Sequence, residues 1–172
     1  YGEDKVNTQK AATVFLSLGS NLGNRMKSLQ NAREALPPFV TIQKISTVYE
    51  TPPWGYTEQP SYLNQVIFGK TDLLPLELLK AIKEIETRLG RKKTFRFGPR
   101  SVDIDILLYD ELILVTSSLV IPHPRMLQRG FVLVPLAEIA PNLIIPGTPR
   151  TVREHMQKVA VEGIHPVQGV SA

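Results

Sequence analysis

Apolar and polar positions along the chain change period several times, and each change predicts an element. In residues 13–18 (TVFLSL), Val14, Leu16 and Leu18 fall on alternate positions, which predicts a strand with one buried face. Leu29, Ala32, Ala35 and Leu36 then recur at helical spacing, predicting a helix over 25–36. Asn24 is suited to cap that helix, and Pro37-Pro38 stops it. Residues 41–49 read as a second strand and 62–68 as a third. Between them the prolines after Thr51 break ladder pairing and open a loop to about Pro60. Pro75 starts a helix to Leu89 with Leu76, Leu79, Ile82, Ile85 and Leu89 on its buried stripe, and Gly90 ends it. Residues 103–109 read as a strand and 111–121 as a short hairpin or an extended excursion. Pro122-His123-Pro124-Arg125 forms a rigid turn, and residues 126–129 form one helical turn. Residues 131–136 are an apolar stretch ended by Ala140-Pro141, and one amphipathic helix follows at 152–159.

The resulting order, strand-helix-strand-strand-helix-strand with helical additions at the C-terminal end, is the ferredoxin-like βαββαβ order. It predicts an α+β fold whose antiparallel sheet carries its helices on one face. With 172 residues, one domain is expected over 13–160, between a tail or linker remnant at 1–12 and a loose tail at 161–172. Tyr1 in place of Met leads us to expect further sequence upstream, either a tag or another domain. Apolar residues make up 42% and charged residues 21%, as in a soluble globular chain, and a cytoplasmic location is expected. The absence of cysteine excludes a disulfide framework and thiolate chemistry. No apolar run is long enough to span a bilayer.

A net charge of +4 changes the picture only because part of it is local. Arg91, Lys92, Lys93, Arg96 and Arg100 directly precede Asp103 and Asp105. On a strand the two aspartates project together, while Ile104, Ile106 and Leu108 project the other way into a core. Adjacent like charges need compensation, and Mg²⁺ is commonly held by one or two carboxylates plus phosphate oxygens. With a basic arm for those phosphates, the stretch suggests a magnesium polyphosphate site. Each feature alone is weak; their direct succession carries the inference. Tyr62 and Asn64 share a strand face, a stacking surface beside an amide that suits a heteroaromatic ring with a urea-like edge. An ordinary exposed strand face fits the same residues. Trp54, between Pro and Gly residues in a polar loop, reads either as packed on the sheet or as one wall of a slot. The turn at 19–24 lacks the Gly-Lys-Ser/Thr ending of a phosphate loop and the third glycine of a dinucleotide fingerprint, and reads as structural.

Four blocks, in order, resemble the 6-hydroxymethyl-7,8-dihydropterin pyrophosphokinases of folate biosynthesis: LGSNLGNR, YETPPWGYTEQPSYLNQV, RFGPRSVDIDILLY and IPHPRMLQRGFVLVPLAEIAP. The resemblance covers about residues 13–145. It implies transfer of a pyrophosphoryl group from ATP to the pterin hydroxymethyl oxygen, releasing AMP. It further implies that Asp103 and Asp105 hold two Mg²⁺ ions and that Arg91, Arg100, Arg129 and His123 bind the phosphates, with Lys93 in the same basic arm. Glu86 and Ile106 would lie against the nucleotide. The pterin would sit between Tyr62 and Phe131, with Asn64 and the Thr51 backbone at its ring edge and Pro53 and Trp54 on the lid side. A monomer is expected, or a piece of a larger folate-pathway polypeptide, with no nucleic acid or membrane partner. Phe97, Lys93 and Ser118 depart from the family pattern, where Trp, Arg and Arg respectively occur. Two other classes share the topology: an RNA-binding module and a small-molecule regulatory domain. The aspartate pair on the 103–109 strand would repel RNA phosphate unless a metal intervened.

Overall fold

The computed structural model describes residues 10–52, 58, 60–90 and 101–167. Its centre is an antiparallel sheet in which β5 (Asp103–Tyr109), β1 (Ala12–Ser20) and β4 (Tyr62–Thr71) lie side by side. β2 (Thr41–Ile45) and β3 (Tyr49–Thr51) both pair with β4, and β8 (His165–Pro166) pairs with β3. With α1 (Arg25–Ala35) after β1 and α2 (Pro75–Arg88) after β4, this is the ferredoxin-like arrangement the order of elements predicts.

Helices cover both faces, which corrects the one-sided arrangement expected. Val14, Leu16 and Leu18 of β1 meet Leu29 and Ala32 of α1 and Leu78, Ile82 and Ile85 of α2 on one face. Phe15, Val66, Leu107 and Leu108 meet Val132, Leu133 and Leu136 of α3 (Gly130–Ile139) and Val152 of α4 (Val152–Met156) on the other. A short hairpin, β6 (Leu114–Val115) and β7 (Val120–Ile121), and a 3-10 turn at Met126–Gln128 link β5 to α3.

Several boundaries differ from expectation for identifiable reasons. β1 runs on to Ser20, because its partners continue through Gly19↔Asn64 and Ser20↔Leu63. The expected strand at 41–49 is split around Ser46, whose hydroxyl accepts the Val66 amide at 3.0 Å in place of a ladder carbonyl. Glu138 of α3 then accepts the Thr47 amide at 2.8 Å, so the break is held from the opposite layer. α2 turns Leu78, Ala81, Ile82, Ile85 and Glu86 inward and leaves Leu76 half-exposed, a stripe rotated from the one expected. α4 stops at Met156, short of the predicted Val159. Residues 165–166, expected in a loose tail, pair with β3. Along β5 the register with β1 shifts between Phe15 and Leu16, and Leu107 is the extra residue. The bulge moves Leu108 to the face of Phe15 and Leu107, away from Ile104 and Ile106, whose face it was expected to share.

Candidate active site

A row of paired residues crosses the sheet: Asp103 opposite Gly19, Gly19 opposite Asn64, Asn64 opposite Tyr49. Their neighbours Ile104, Leu18 and Leu63 enter the core beneath α1 and α2, so Asp103, Gly19 and Asn64 face the other way. Asp105 and Tyr62 share that face. The loops at this end of the sheet are tied to α1. Arg25 Nη1 lies 2.8 Å from Glu50 Oε2 and donates to Ser61 O at 2.8 Å, while Asn21 Nδ2 donates to Pro60 O at 3.3 Å. These bonds fix the ends of β3 and β4 that carry Thr51 and Tyr62.

Asn64 is buried, and its Nδ2 donates to Thr51 Oγ1 at 2.9 Å. Its Oδ1 lies beside Gly19: a Cβ added there would sit 3.1 Å from it and 3.9 Å from Tyr62 Cδ1. Gly19 therefore keeps the sheet surface open between Asn64 and Tyr62. The sequence reading assigned that glycine to a turn; its position inside an alternating strand was the available signal.

The opposing layer brings in the start of α3. The Arg129 guanidinium stands over the Phe131 ring, 5.4 Å from its centroid. Burial lowers the Arg129 pKa, while Asp105 and Asp103 pull it back up and Arg125 pushes down. His123 is pinned to β5 through its amide, which donates to Leu107 O at 2.9 Å, and its Nδ1 accepts the Arg125 amide at 3.2 Å. Burial pushes the imidazole below the usual histidine range, Asp105 opposes this, and Arg129 and Arg125 reinforce it. Burial thus favours the neutral form of the His123 ring beside the aspartates.

A cleft of about 380 Å³ opens next to this row, lined by Thr51 and Pro52, by Arg129, Gly130 and Phe131, and by Ala160, Glu162 and Ile164. Arg125 and Gln128 complete its rim. Asp103, Asp105, Tyr62 and Asn64 are not among its lining residues. Glu86 is 2% exposed; its Oε2 accepts the Ile104 amide at 3.1 Å and its Oε1 lies 3.2 Å from Lys83 Nζ. The Ile106 side chain belongs to the core beneath α2, so any ligand contact it makes is through its backbone. Ser118 is exposed in the β6–β7 turn. Pro53, Trp54, Arg91, Lys93, Phe97 and Arg100 lie outside the described residues. Among the described residues no group of three or more His, Cys, Asp or Glu side chains gathers for a metal. A pair of partly covered carboxylates on one strand face nevertheless fits Mg²⁺, which shares its shell with substrate phosphates. No described helix is long and apolar enough to cross a membrane.

The sequence profile of 7,8-dihydro-6-hydroxymethylpterin-pyrophosphokinase (HPPK) matches residues 15–141. The chain belongs to the HPPK family. It is 50% identical over 135 residues to the 2-amino-4-hydroxy-6-hydroxymethyldihydropteridine pyrophosphokinase of Aquifex aeolicus, covering 78% of this chain and 84% of that one. The Bacillus subtilis protein of the same name is 46% identical over 128 residues, covering 73% and 77%. The match to the folate synthesis bifunctional protein of Arabidopsis thaliana is 44% over 130 residues, 73% of this chain but 23% of that protein. Among solved structures, Plasmodium falciparum HPPK-DHPS superposes with a TM-score of 0.71 at 17% identity, over 89% of this chain and 42% of that one. The chain thus spans less than half of that polypeptide, and at such identity the likeness concerns the fold alone. As an HPPK family member the chain is an ATP-dependent pyrophosphokinase of folate biosynthesis, and the RNA-binding and regulatory-domain alternatives are not favoured.

Proposed function

We propose that this HPPK carries out its transfer on the sheet face between β5 and β4, using the residues named above. The pterin ring lies against Tyr62 and Phe131, with Asn64 and the Thr51 backbone at its polar edge. The triphosphate of ATP lies over Asp103 and Asp105, with Arg129 and His123 beside it. The hydroxymethyl oxygen forms a bond to the β-phosphorus as the bond from that phosphorus to the bridging oxygen of AMP breaks. The hydroxyl proton leaves to solvent, since no described residue in the row is placed as a strong base. Asp103 and Asp105 would hold Mg²⁺, two ions in our reading, whose charge neutralises the phosphates and favours departure of AMP.

The observation that carries this proposal is the register row Asp103–Gly19–Asn64. It sets a carboxylate and an amide two strands apart on one face, at about 5 Å per strand step, and we assign the first to the metal and the second to the ring edge. That spacing suits a phosphate joined to a bicyclic ring through a single methylene. His123 and Arg129 would donate hydrogen bonds to the phosphates. Incubation with ATP, Mg²⁺ and 6-hydroxymethyl-7,8-dihydropterin should yield AMP and the pterin diphosphate. ADP as the nucleotide product, or no nucleotide product in the presence of pterin, would overturn it.

A further inference from the structure

Residues 160–167 lie beyond the stretch matched by the HPPK profile, yet they reach both walls of the cleft. The Val167 amide donates to Val48 O at 2.9 Å, and His165 and Pro166 pair with Glu50 and Tyr49. This covers the outer edge of β3 up to the residue before Thr51. Gly163 holds φ at +79°, and a Cβ there would come within 3.0 Å of Pro52 Cγ. On the opposite wall the segment presses on Gly130. A Cβ at Gly130 would lie 2.4 Å from Ala160 O and 2.9 Å from Ile164 Cδ1. Gly130 stands between Arg129 and Phe131, so the segment abuts the backbone that carries both.

Resting on the function proposed above, we propose that residues 160–167 form a strap that positions the pterin side of the site. It ties Thr51–Pro52 to the Arg129–Phe131 backbone across the cleft and so keeps their separation fixed. Burial argues against a general stabilising role. Val161, Glu162, Gly163, His165 and Pro166 are exposed, and only Ile164 and Val167 are partly covered. The strap therefore adds little to the core, and its close approaches are concentrated at Pro52 and Gly130 beside the cleft. Loss of it should free the cleft walls far more than it lowers global stability.

Steady-state kinetics on a chain ending at Val159 tests this, alongside Gly163→Val, which keeps the strap but strains its turn and crowds Pro52. The expected result is a rise in pterin KM of about tenfold or more for the truncation and a smaller rise for Gly163→Val, with ATP KM within about twofold of the intact chain. Should the truncated chain fail to melt cooperatively, Gly163→Val alone decides. A folded variant whose pterin KM stays within about twofold, or whose two KM values rise together, overturns the strap's role. The intact chain, assayed in parallel, separates the two proposals. AMP production with unaltered variants removes the strap only, whereas an intact chain that makes no AMP removes the function on which it rests.

Discussion

Asp103 and Asp105 differ from Glu86 in what their neighbours leave open. Glu86 is enclosed, with one oxygen on the Ile104 amide and the other near Lys83, whereas the two aspartates are only partly covered. Replacing either aspartate by asparagine keeps its shape and removes a charge from a like-charged pair. We expect turnover in Asp103→Asn and Asp105→Asn to fall by at least about 10²-fold, since removing one electrostatic partner of a transition state typically costs that much. The melting temperature should hold or rise, and a scanning melt beside the AMP assay checks both. Gly19 makes a separate prediction. A Cβ there sits 3.1 Å from Asn64 Oδ1, so Gly19→Ala fills space over the amide proposed to read the ring, without entering the core. Pterin affinity should drop about tenfold with ATP affinity unchanged, a cost in the range of a small steric intrusion. Isothermal titration with each substrate separates the two.

Glu86 carries its consequence at the scale of elements, because it joins α2 to the start of β5. A buried hydrogen bond to a charged group contributes about 1.5–3 kcal/mol, and its loss leaves the Ile104 amide unsatisfied. In a chain of this size each kcal/mol moves the midpoint by about 2–4 °C, so Glu86→Ala should melt roughly 5–10 °C lower. Glu86→Gln retains an acceptor and should lose less than half as much. This bond also shows where sequence reading ends. The alternation of Val14, Leu16 and Leu18, the Asn24 cap and the Gly90 terminator are local signals, and the structure has a strand, a helix start and a helix end at those points. The stripe of α2 was misjudged because a carboxylate, Glu86, occupies an inward position that hydrophobic pattern alone assigns to an apolar residue. The Leu107 bulge was hidden for a related reason: DIDILLY alternates well enough to read as a regular strand, and only the pairing with Phe15 exposes the extra residue. Of the site, the aspartate pair and the Tyr62–Asn64 face were legible from strand period. The approach of Arg129 and Phe131 was not, since nothing local states that α3 crosses the far face of the sheet. Those two came from the family resemblance.

At the scale of the whole molecule, the sheet separates two kinds of packing. The face beneath α1 and α2 is closed mainly by Leu, Ile and Val, whereas the face beneath α3 and α4 is apolar only at one end and gives way to Asp105, Asp103, Gly19 and Asn64 at the other. Two acids left on that face with little apolar cover make the unliganded protein less stable than its liganded form. Any ligand that binds only the folded chain adds RT ln(1 + [L]/Kd), about 2.7 kcal/mol at a hundredfold excess over Kd. By the same conversion, saturating MgATP should raise the melting midpoint by about 5–10 °C. ATP with EDTA should give a much smaller shift, because triphosphate brought against two carboxylates is repelled unless a cation lies between them. Mg²⁺ alone should give a smaller shift than MgATP, since the acid pair supplies only part of its shell. The same scans on Asp105→Asn provide the internal control: its MgATP shift should shrink while its unliganded midpoint does not fall. An equal shift for ATP with and without EDTA would mean that the nucleotide is held without the acid pair, and the row from Asp103 to Asn64 would then lose its place as the line along which the two substrates meet.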